Sequence, residues 1–173
     1  QIASFEDIYE KRYSLSPVLH ITFFGKKTFF ETNNGYRENF VFAQDYDLVL
    51  RGLDSGAIIQ NMEEKLVKYR DFRTKINPLK FIQQYRITEL AIKLSKERLK
   101  FGNEISNIDF LLAETMKVNS WDVFVAKIFL KTYLLDSSFK NKSLKNISKL
   151  FAFIFSSDLR KLLTRDLKAY KLK

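Results

Sequence analysis

The fold class of this chain is set by residues 78–102, which read P-L-K-F-I-Q-Q-Y-R-I-T-E-L-A-I-K-L-S-K-E-R-L-K-F-G. Proline is favoured in the first turn of a helix and glycine just past its end. Between Pro78 and Gly102 the apolar side chains recur about every 3.6 residues, the period of a helix that buries one face. They are Phe81, Ile82, Tyr85, Ile87, Leu90, Ile92 and Leu94. The stretch therefore predicts a helix of about 20 residues.

The same period continues to the C terminus. Serine side chains accept hydrogen bonds from the first backbone N–H groups of a helix, so they are candidate caps. Serine caps and apolar stripes together predict four more helices: one after Ser106, one after Ser120, one over residues 144–155 and one over residues 158–170 after Ser157. Residues 78–173 are therefore interpreted as a helical bundle.

The chain before Pro78 has a different pattern. Four of the five glycines lie there, and short apolar runs rich in β-branched and aromatic residues predict strands. The predicted elements are strands over residues 18–24, 57–60 and 65–70 and helices over residues 26–31 and 44–53. The fold class predicted is α+β and predominantly helical, with one domain over residues 1–77 and a second over residues 78–173.

The net charge is concentrated in the second part. The chain has 30 basic and 20 acidic side chains, a net charge of +10. Residues 1–77 are neutral, with 11 of each sign, whereas residues 137–173 carry ten basic and two acidic side chains. A basic segment of this kind attracts polyanionic partners.

Cysteine and histidine usage narrows the chemistry. The chain has no cysteine and one histidine, which excludes disulfides, thiolate catalysis and a histidine-rich metal site. The longest apolar run, residues 150–155, is far shorter than the roughly 20 residues of a spanning helix. We therefore expect a cytoplasmic chain.

Residues 17–70 carry a series of short blocks. They are P-V-L-H at 17–20, N-G-Y-R-E-N-F at 34–40, A-Q-D-Y-D-L-V-L-R at 43–51 and L-V-K-Y-R at 66–70. Their order and spacing resemble the second half of the catalytic domain in family 2 glycosyltransferases, where the blocks look like N-P-x-x-H, G-G-Y-x-E-x-F, A-E-D-Y-D-L-W-L-R and Y-R-x-H. The resemblance covers about the first 75 residues.

The resemblance implies an inverting, hexosyltransferase-type enzyme with the GT-A, Rossmann-like fold, which moves a sugar from a nucleotide-sugar to an acceptor hydroxyl. The catalytic base of the family falls on Asp45. A carboxylate at hydrogen-bond distance removes the proton of the hydroxyl as its oxygen attacks the anomeric carbon. A position at a helix start also favours negative charge.

Three residues are assigned to substrate binding. His20 matches the histidine of the first block and would line the acceptor cleft, although a lone histidine in an apolar run is more commonly a packed structural residue. Gln44 stands where the family has a glutamate, so it keeps hydrogen bonding and loses a charge. Arg70 follows a predicted strand and would meet phosphate.

The resemblance also implies a divalent metal. Family members hold Mg²⁺ or Mn²⁺ with a D-x-D motif in an N-terminal half that precedes these blocks. Asp45-Tyr46-Asp47 has this spacing, but it lies inside the base block, so no metal ligand is assigned in this chain. The chain is interpreted as the C-terminal portion of such a catalytic domain with a helical extension, and we expect it to be inactive by itself.

The basic segment over residues 137–173 surrounds Phe151, Phe153, Phe155 and Leu159 with lysine and arginine. This is the pattern of a helix lying on an anionic membrane surface. A helical bundle with a lysine-rich polar face is the alternative, and nucleic acid is disfavoured because no recognition-helix, RNA-binding or zinc motif is present. Trp121 is interpreted as a buried anchor rather than a sugar-stacking platform.

The expected partners are a nucleotide-sugar donor and a glycan or lipid-linked acceptor of surface polysaccharide biosynthesis, used at the inner face of the cell membrane. The alternative function is a non-catalytic helical interaction or membrane-surface module. The sequence leaves open the donor sugar, the acceptor, the linkage and the oligomeric state, a homo-oligomer included.

Overall fold

Helices dominate the computed structural model, which describes residues 4–14, 18–68, 76–133 and 142–171. These ranges contain no strand, so the predominantly helical part of the predicted fold class is confirmed for them, whereas an α+β, GT-A piece is not found in them. A short 3-10 turn spans His20–Thr22. The α-helices of these ranges are α1 Phe5–Lys11, α2 Lys27–Thr32, α3 Gln44–Asp54, α4 Pro78–Phe101, α5 Ile108–Met116, α6 Ser120–Tyr133, α7 Lys142–Phe155 and α8 Ser157–Lys171.

The predicted strands are wrong wherever the structure describes them. Within residues 18–24 the backbone N–H and the hydroxyl of Thr22 both donate to the Leu19 carbonyl at 2.8 Å, which closes the 3-10 turn. Residues 57–60 and 65–68 belong to no ladder, and Tyr69 and Arg70 lie outside the described residues. Strand propensity reflects packing on a sheet surface, and no neighbouring strand is present in the described ranges to supply it.

The predicted helices are confirmed, but their caps are not. The observed caps are Asn107, one residue after the serine that the sequence favoured, and Asn119 and Ser156, each one residue before it. Their side chains accept from the backbone N–H three residues on, at 3.0, 2.7 and 3.4 Å. Asparagine and serine are both strong N-caps, so adjacent candidates cannot be separated by residue type alone. Helix α1, capped by Ser4, was not predicted.

The chain divides into two compact units. Unit 1 comprises Gln1–Tyr69 and Ile87–Glu114, and unit 2 comprises Arg70–Arg86 and Thr115–Lys173. The division differs from the boundary predicted at residues 77 and 78 because α4 contributes to both units. Its buried Ser95 hydroxyl lies 2.9 Å from the hydroxyl of Tyr13 and donates to Asp54 at 3.0 Å, both in unit 1.

In unit 1, helices α2 and α3 pack closely against each other. Gly52 in α3 lets the ring of Phe29 in α2 approach closely, since a β-carbon at residue 52 would lie 2.4 Å from Cε2 of that ring. The core cluster consists of buried Ile8, Val49, Leu53 and Ile59 with Phe5, Tyr9, Val18, Phe23 and Phe29 packed against it.

Unit 2 is held by an apolar core and by one arginine. Arg86 donates to Asp158 at 2.8 Å and to Asp122 at 3.3 Å, and these aspartates lie in the first turns of α8 and α6. Carboxylates are favourable at helix starts, and the shared arginine ties the two starts together. The buried core residues are Ile82, Val125, Ala126, Phe129, Leu130, Ala152, Leu159 and Leu163.

Trp121 and Leu159, both in unit 2, are not placed as the sequence predicted. Trp121 is 51% exposed, so its interpretation as a buried anchor is wrong. Leu159 is buried in the core, so it does not belong to a membrane-facing stripe. None of the helices in the described part of the chain is long and apolar enough to cross a bilayer.

Candidate functional site

Asp45 occupies the first turn of α3 and is half-buried. Its Oδ1 accepts a hydrogen bond of 2.9 Å from the backbone N–H of Tyr46. The residue before the helix, Ala43, has a left-handed φ of 55°, which turns the chain sharply into the helix start. A carboxylate at this position is favoured by the partial positive charge of the helix N-terminus.

Tyr36 interacts electrostatically with this carboxylate. Burial, and secondarily the charge of Asp45, raise the pKa of Tyr36 above its ordinary value. The imidazole of His20 packs edge-on against Tyr36 with ring centroids 5.8 Å apart. His20 and Tyr36 are both exposed to solvent. Unit 1 therefore exposes the paired rings of Tyr36 and His20, and the charge of the half-buried Asp45 acts on Tyr36.

Of the other two residues predicted for the site, the structure describes Gln44 but not Arg70. Gln44 is the first residue of α3, next to Asp45, and is half-buried. Arg70 lies outside the described residues, so its assignment to substrate binding stays a prediction. Of the four residues predicted for the site, the structure thus places Asp45, Gln44 and His20 in unit 1 and connects His20 to Asp45 through Tyr36.

Helix α3 also holds the turn that presents Tyr36. The guanidinium of Arg51 donates to the backbone carbonyl of Asn33 and, at 2.7 Å, to that of Gly35. Asn34 and Gly35 both have left-handed φ values, 54° and 58°. Such a turn carries carbonyl groups that no regular ladder satisfies, and Arg51 supplies two donors for them.

Asp47 binds Arg51, the arginine that holds the turn. Its side chain is fully buried and its Oδ2 accepts from Nε of Arg51 at 2.9 Å. Nη1 of Arg37 lies 3.5 Å from Oδ1. A carboxylate enclosed by two arginines is unavailable to a cation, which gives a physical reason why Asp45-Tyr46-Asp47 is not a metal motif.

The ion pairs extend from Arg37 to α4. Arg37 donates to Glu104 at 2.6 Å, Arg98 donates to the same carboxylate, and Arg98 lies 2.7 Å from Asp54. Burial acts to raise the pKa of Glu104, but the hydrogen bonds and charges of Arg37 and Arg98 outweigh it and lower that pKa. Burial raises the pKa of Asp54 despite Arg98. Within unit 1, these ion pairs thus link the segment that contains Arg37 to helix α4.

The roles of Tyr36, Asp47 and Arg51 were missed in the sequence, although all three lie inside the quoted blocks. The i to i+4 spacing of Asp47 and Arg51 signals a helical ion pair. Apolar Leu48, Val49 and Leu50 between them signal that the pair is buried. The carbonyl groups that Arg51 binds belong to a turn 16 and 18 residues earlier, and no local pattern points to them.

The Mg²⁺ or Mn²⁺ that the family resemblance implies would need oxygen or nitrogen ligands close together. Within the described ranges, no three histidine, aspartate or glutamate side chains come together in a way that would hold a metal ion. The residues that the structure describes therefore do not fit the Mg²⁺ or Mn²⁺ that the family resemblance implies. That metal stays a prediction about residues outside the chain.

The described residues are predominantly helical, with a half-buried carboxylate at the start of α3 and an exposed pair of aromatic rings, one of which feels its charge. No protein-family model, no curated protein and no solved structure matches the chain. Its function is therefore argued from the motif blocks and from the geometry of this site.

Proposed function

We propose that this chain is the acceptor-side, C-terminal part of an inverting glycosyltransferase of the family 2 type. The enzyme would transfer a sugar from a nucleotide-sugar to a hydroxyl of a glycan or lipid-linked acceptor in surface polysaccharide biosynthesis. The observation that carries the proposal is the half-buried Asp45 at the start of α3, whose charge adds to burial in raising the pKa of Tyr36, with His20 packed edge-on against the Tyr36 ring. The GT-A assignment rests on the motif blocks, since the described residues contain no strand.

The chemistry follows from the carboxylate. As the acceptor oxygen bonds to the anomeric carbon, its proton passes to Asp45. The bond between the anomeric carbon and the phosphate oxygen breaks on the opposite face, and the nucleoside diphosphate leaves with the electron pair. Attack opposite to the leaving group inverts the anomeric centre, which is why a single base is sufficient.

Tyr36 and His20 would position the acceptor. The phenol of Tyr36 keeps its proton at neutral pH, as tyrosine ordinarily does, and the raised pKa acts in the same direction, so the group can donate a hydrogen bond to a sugar oxygen. The exposed faces of both rings offer apolar contact for the C–H groups of a sugar. Gln44, next to the base, offers an uncharged amide for a further hydroxyl.

No step in this mechanism passes through a metal. In the family that the blocks resemble, Mg²⁺ or Mn²⁺ neutralises the diphosphate leaving group, and the ligands would lie outside this chain. The proposal for this chain is confined to the acceptor side: binding of the acceptor, orientation of its hydroxyl and removal of its proton.

Substitution of the base tests the proposal in the full-length gene product. With a panel of nucleotide-sugars, release of nucleoside diphosphate is measured for the wild type and for Asp45→Asn. The loss of a general base should lower the rate by about 10²–10⁴-fold. Asp109→Asn is the matched control, because Asp109 is also the second residue of a helix, α5, and is exposed.

Two results contradict the proposal. Undiminished turnover in Asp45→Asn would remove Asp45 as the base. Absence of turnover in the wild type with every donor would favour the alternative of a non-catalytic helical module. Equal melting temperatures for wild type and both variants ensure that a lost rate reports chemistry rather than unfolding.

A further inference from the structure

Unit 2 exposes a cluster of large apolar side chains on α6 and α7. Each of the six is between 39% and 60% exposed. We call them the α6/α7 patch: Trp121, Phe124, Leu150, Phe153, Ile154 and Phe155. A cluster of exposed apolar side chains on a protein surface commonly marks an interaction site, whereas single exposed apolar residues are ordinary.

Three of the six side chains, Trp121, Phe124 and Phe155, make contact across the two helices. The ring of Trp121 lies 5.6 Å from that of Phe124 on α6 and 6.1 Å from that of Phe155 on α7. The indole N–H donates to the Phe155 carbonyl at 3.0 Å. Since its one polar group is paired within unit 2, the exposed part of the Trp121 ring is apolar.

The patch does not belong to the core of unit 2. The core uses the opposite sides of these helices, where Val125, Phe129 and Ala152 are buried. Leu150 and Ile154 are one helical turn apart and point away from that core, with exposures of 60% and 52%. Helices α6 and α7 are therefore apolar on two sides, and only one of these sides is covered within the described residues.

The unit that carries the patch is strongly basic, and three basic residues lie near the patch. Unit 2 contains 18 basic and 5 acidic side chains, a net charge of +13, whereas unit 1 contains 12 and 15, a net charge of −3. Lys127 and Lys131 are exposed and follow Phe124 by one and two helical turns. The guanidinium of Arg160 lies 5.5 Å from the ring centre of Phe153.

We propose that the α6/α7 patch docks on an anionic lipid surface. Aromatic and aliphatic side chains would enter the headgroup boundary, while the nearby lysine and arginine residues contact anionic headgroups. A nucleic acid is a poorer match because Leu150 and Ile154 have no planar face on which a base could stack. A protein partner with an apolar face is a poorer match as well, because apolar contacts alone give no role to the net charge of +13 on unit 2.

This docking surface differs from the one that the sequence predicted. The prediction covered residues 137–173 and included Leu159, which is buried, whereas the patch includes Trp121 and Phe124 of α6. The proposal is independent of sugar transfer, because lipid binding is measured without donor or acceptor.

The single tryptophan of the chain, Trp121, reports on the patch directly. The 173-residue chain is mixed with phosphatidylcholine vesicles that contain about one-third phosphatidylglycerol, an anionic surface of the kind that attracts basic segments. We expect a blue shift of Trp121 emission and quenching by lipids brominated in the acyl chain. Vesicles of phosphatidylcholine alone, or high salt, should abolish most of the binding because screening weakens the electrostatic attraction.

A pair of double variants separates the patch from net charge. Leu150→Gln/Ile154→Gln removes apolar surface without changing the charge, and we expect at least about tenfold weaker vesicle binding. The matched control is Ile105→Gln/Phe110→Gln in unit 1, where the two side chains are 63% and 61% exposed. Circular dichroism verifies that both variants are folded, and the wild-type quenching experiment needs no variant.

Several outcomes would overturn the proposal. Vesicle binding without a change in Trp121 emission would place the contact on another surface. Equal weakening by the two double variants would remove any special role of the patch. A blue shift of the same size with single-stranded RNA, or lipid-free dimerisation that Leu150→Gln/Ile154→Gln abolishes, would assign the patch to a nucleic acid or to a second copy.

Discussion

The guanidinium of Arg51 donates a 2.7 Å hydrogen bond to the backbone carbonyl of Gly35, although 16 residues separate the two in the chain. Helix α3 therefore carries the candidate base near its start and, two turns later, the arginine that holds the turn before Tyr36. One rigid element thus sets the relative position of both site residues. Rigid support of this kind is what a catalytic arrangement requires.

Arg51→Met is expected to destabilise the chain by about 3–5 kcal/mol, because it leaves the buried Asp47 carboxylate with a single, longer contact to Arg37. The free energy of unfolding in urea measures the change. The variant also removes both donors to the turn, so the Tyr36 ring should lose its fixed position beside His20, which NMR contacts between the two rings would report.

A double-mutant cycle controls this prediction. If the buried pair acts as a unit, Asp47→Leu combined with Arg51→Met costs less than the two single changes added together. Additive losses, or a cost for Arg51→Met below about 1 kcal/mol, would contradict the importance assigned to this pair.

Gly52→Ala is expected to destabilise unit 1 in spite of the better helix propensity of alanine. The new β-carbon would lie 2.4 Å from Cε2 and 2.7 Å from Cζ of Phe29. Alanine gains about 1 kcal/mol over glycine inside a helix, but displacing a packed ring costs about 1–3 kcal/mol. We expect a net loss of stability, measured as a lower urea midpoint.

Gly25→Ala is the matched control for this substitution, since the nearest atom to its new β-carbon would be 3.7 Å away. That variant should stay within about 0.5 kcal/mol of the wild type. Phe29→Leu should relieve part of the damage from Gly52→Ala. A Gly52→Ala chain that is as stable as the wild type would show that the ring moves at no cost.

Glu97→Gln is expected to lower stability in a pH-dependent way. The Ser106 hydroxyl and the backbone N–H groups of Ile105 and Ser106 donate to Glu97 and lower its pKa below 4.5. The stability from this ionised group is therefore present above about pH 4.5 and is lost as the pH falls through the folded-state pKa. The variant should lose about 1 kcal/mol, or about 2–4 °C in Tm, at pH 7.

The difference between wild type and Glu97→Gln should shrink as the pH falls through the folded-state pKa of Glu97, because protonated glutamate resembles glutamine. Thermal melts between pH 3 and pH 7 measure this convergence. Glu63→Gln, at an exposed position, should give melting curves close to those of the wild type throughout. A difference for Glu97→Gln that stays constant across this range would assign its effect to packing instead of charge.

Part of the fold could be predicted because helices are encoded locally. The 3.6-residue period and the flanking Pro78 and Gly102 located α4, and the apolar run before Ser55-Gly56 located α3. The strands could not be predicted reliably, because residues 18–24 have an apolar pattern that serves equally well in a turn with Val18 and Phe23 packed on the core. Local patterns do not specify whether a partner strand exists.

The sequence by itself determined helices α2 to α8, the uneven charge and the position of Asp45 at a helix start, because these depend on residues within a few positions of each other. Only the tertiary structure decided that Arg51 binds the turn at Gly35, that Asp47 is enclosed by arginines and that Trp121 is exposed. Each of these depends on which distant groups share a buried volume. Burial is a property of the packed chain, so neither residue type nor spacing specifies it.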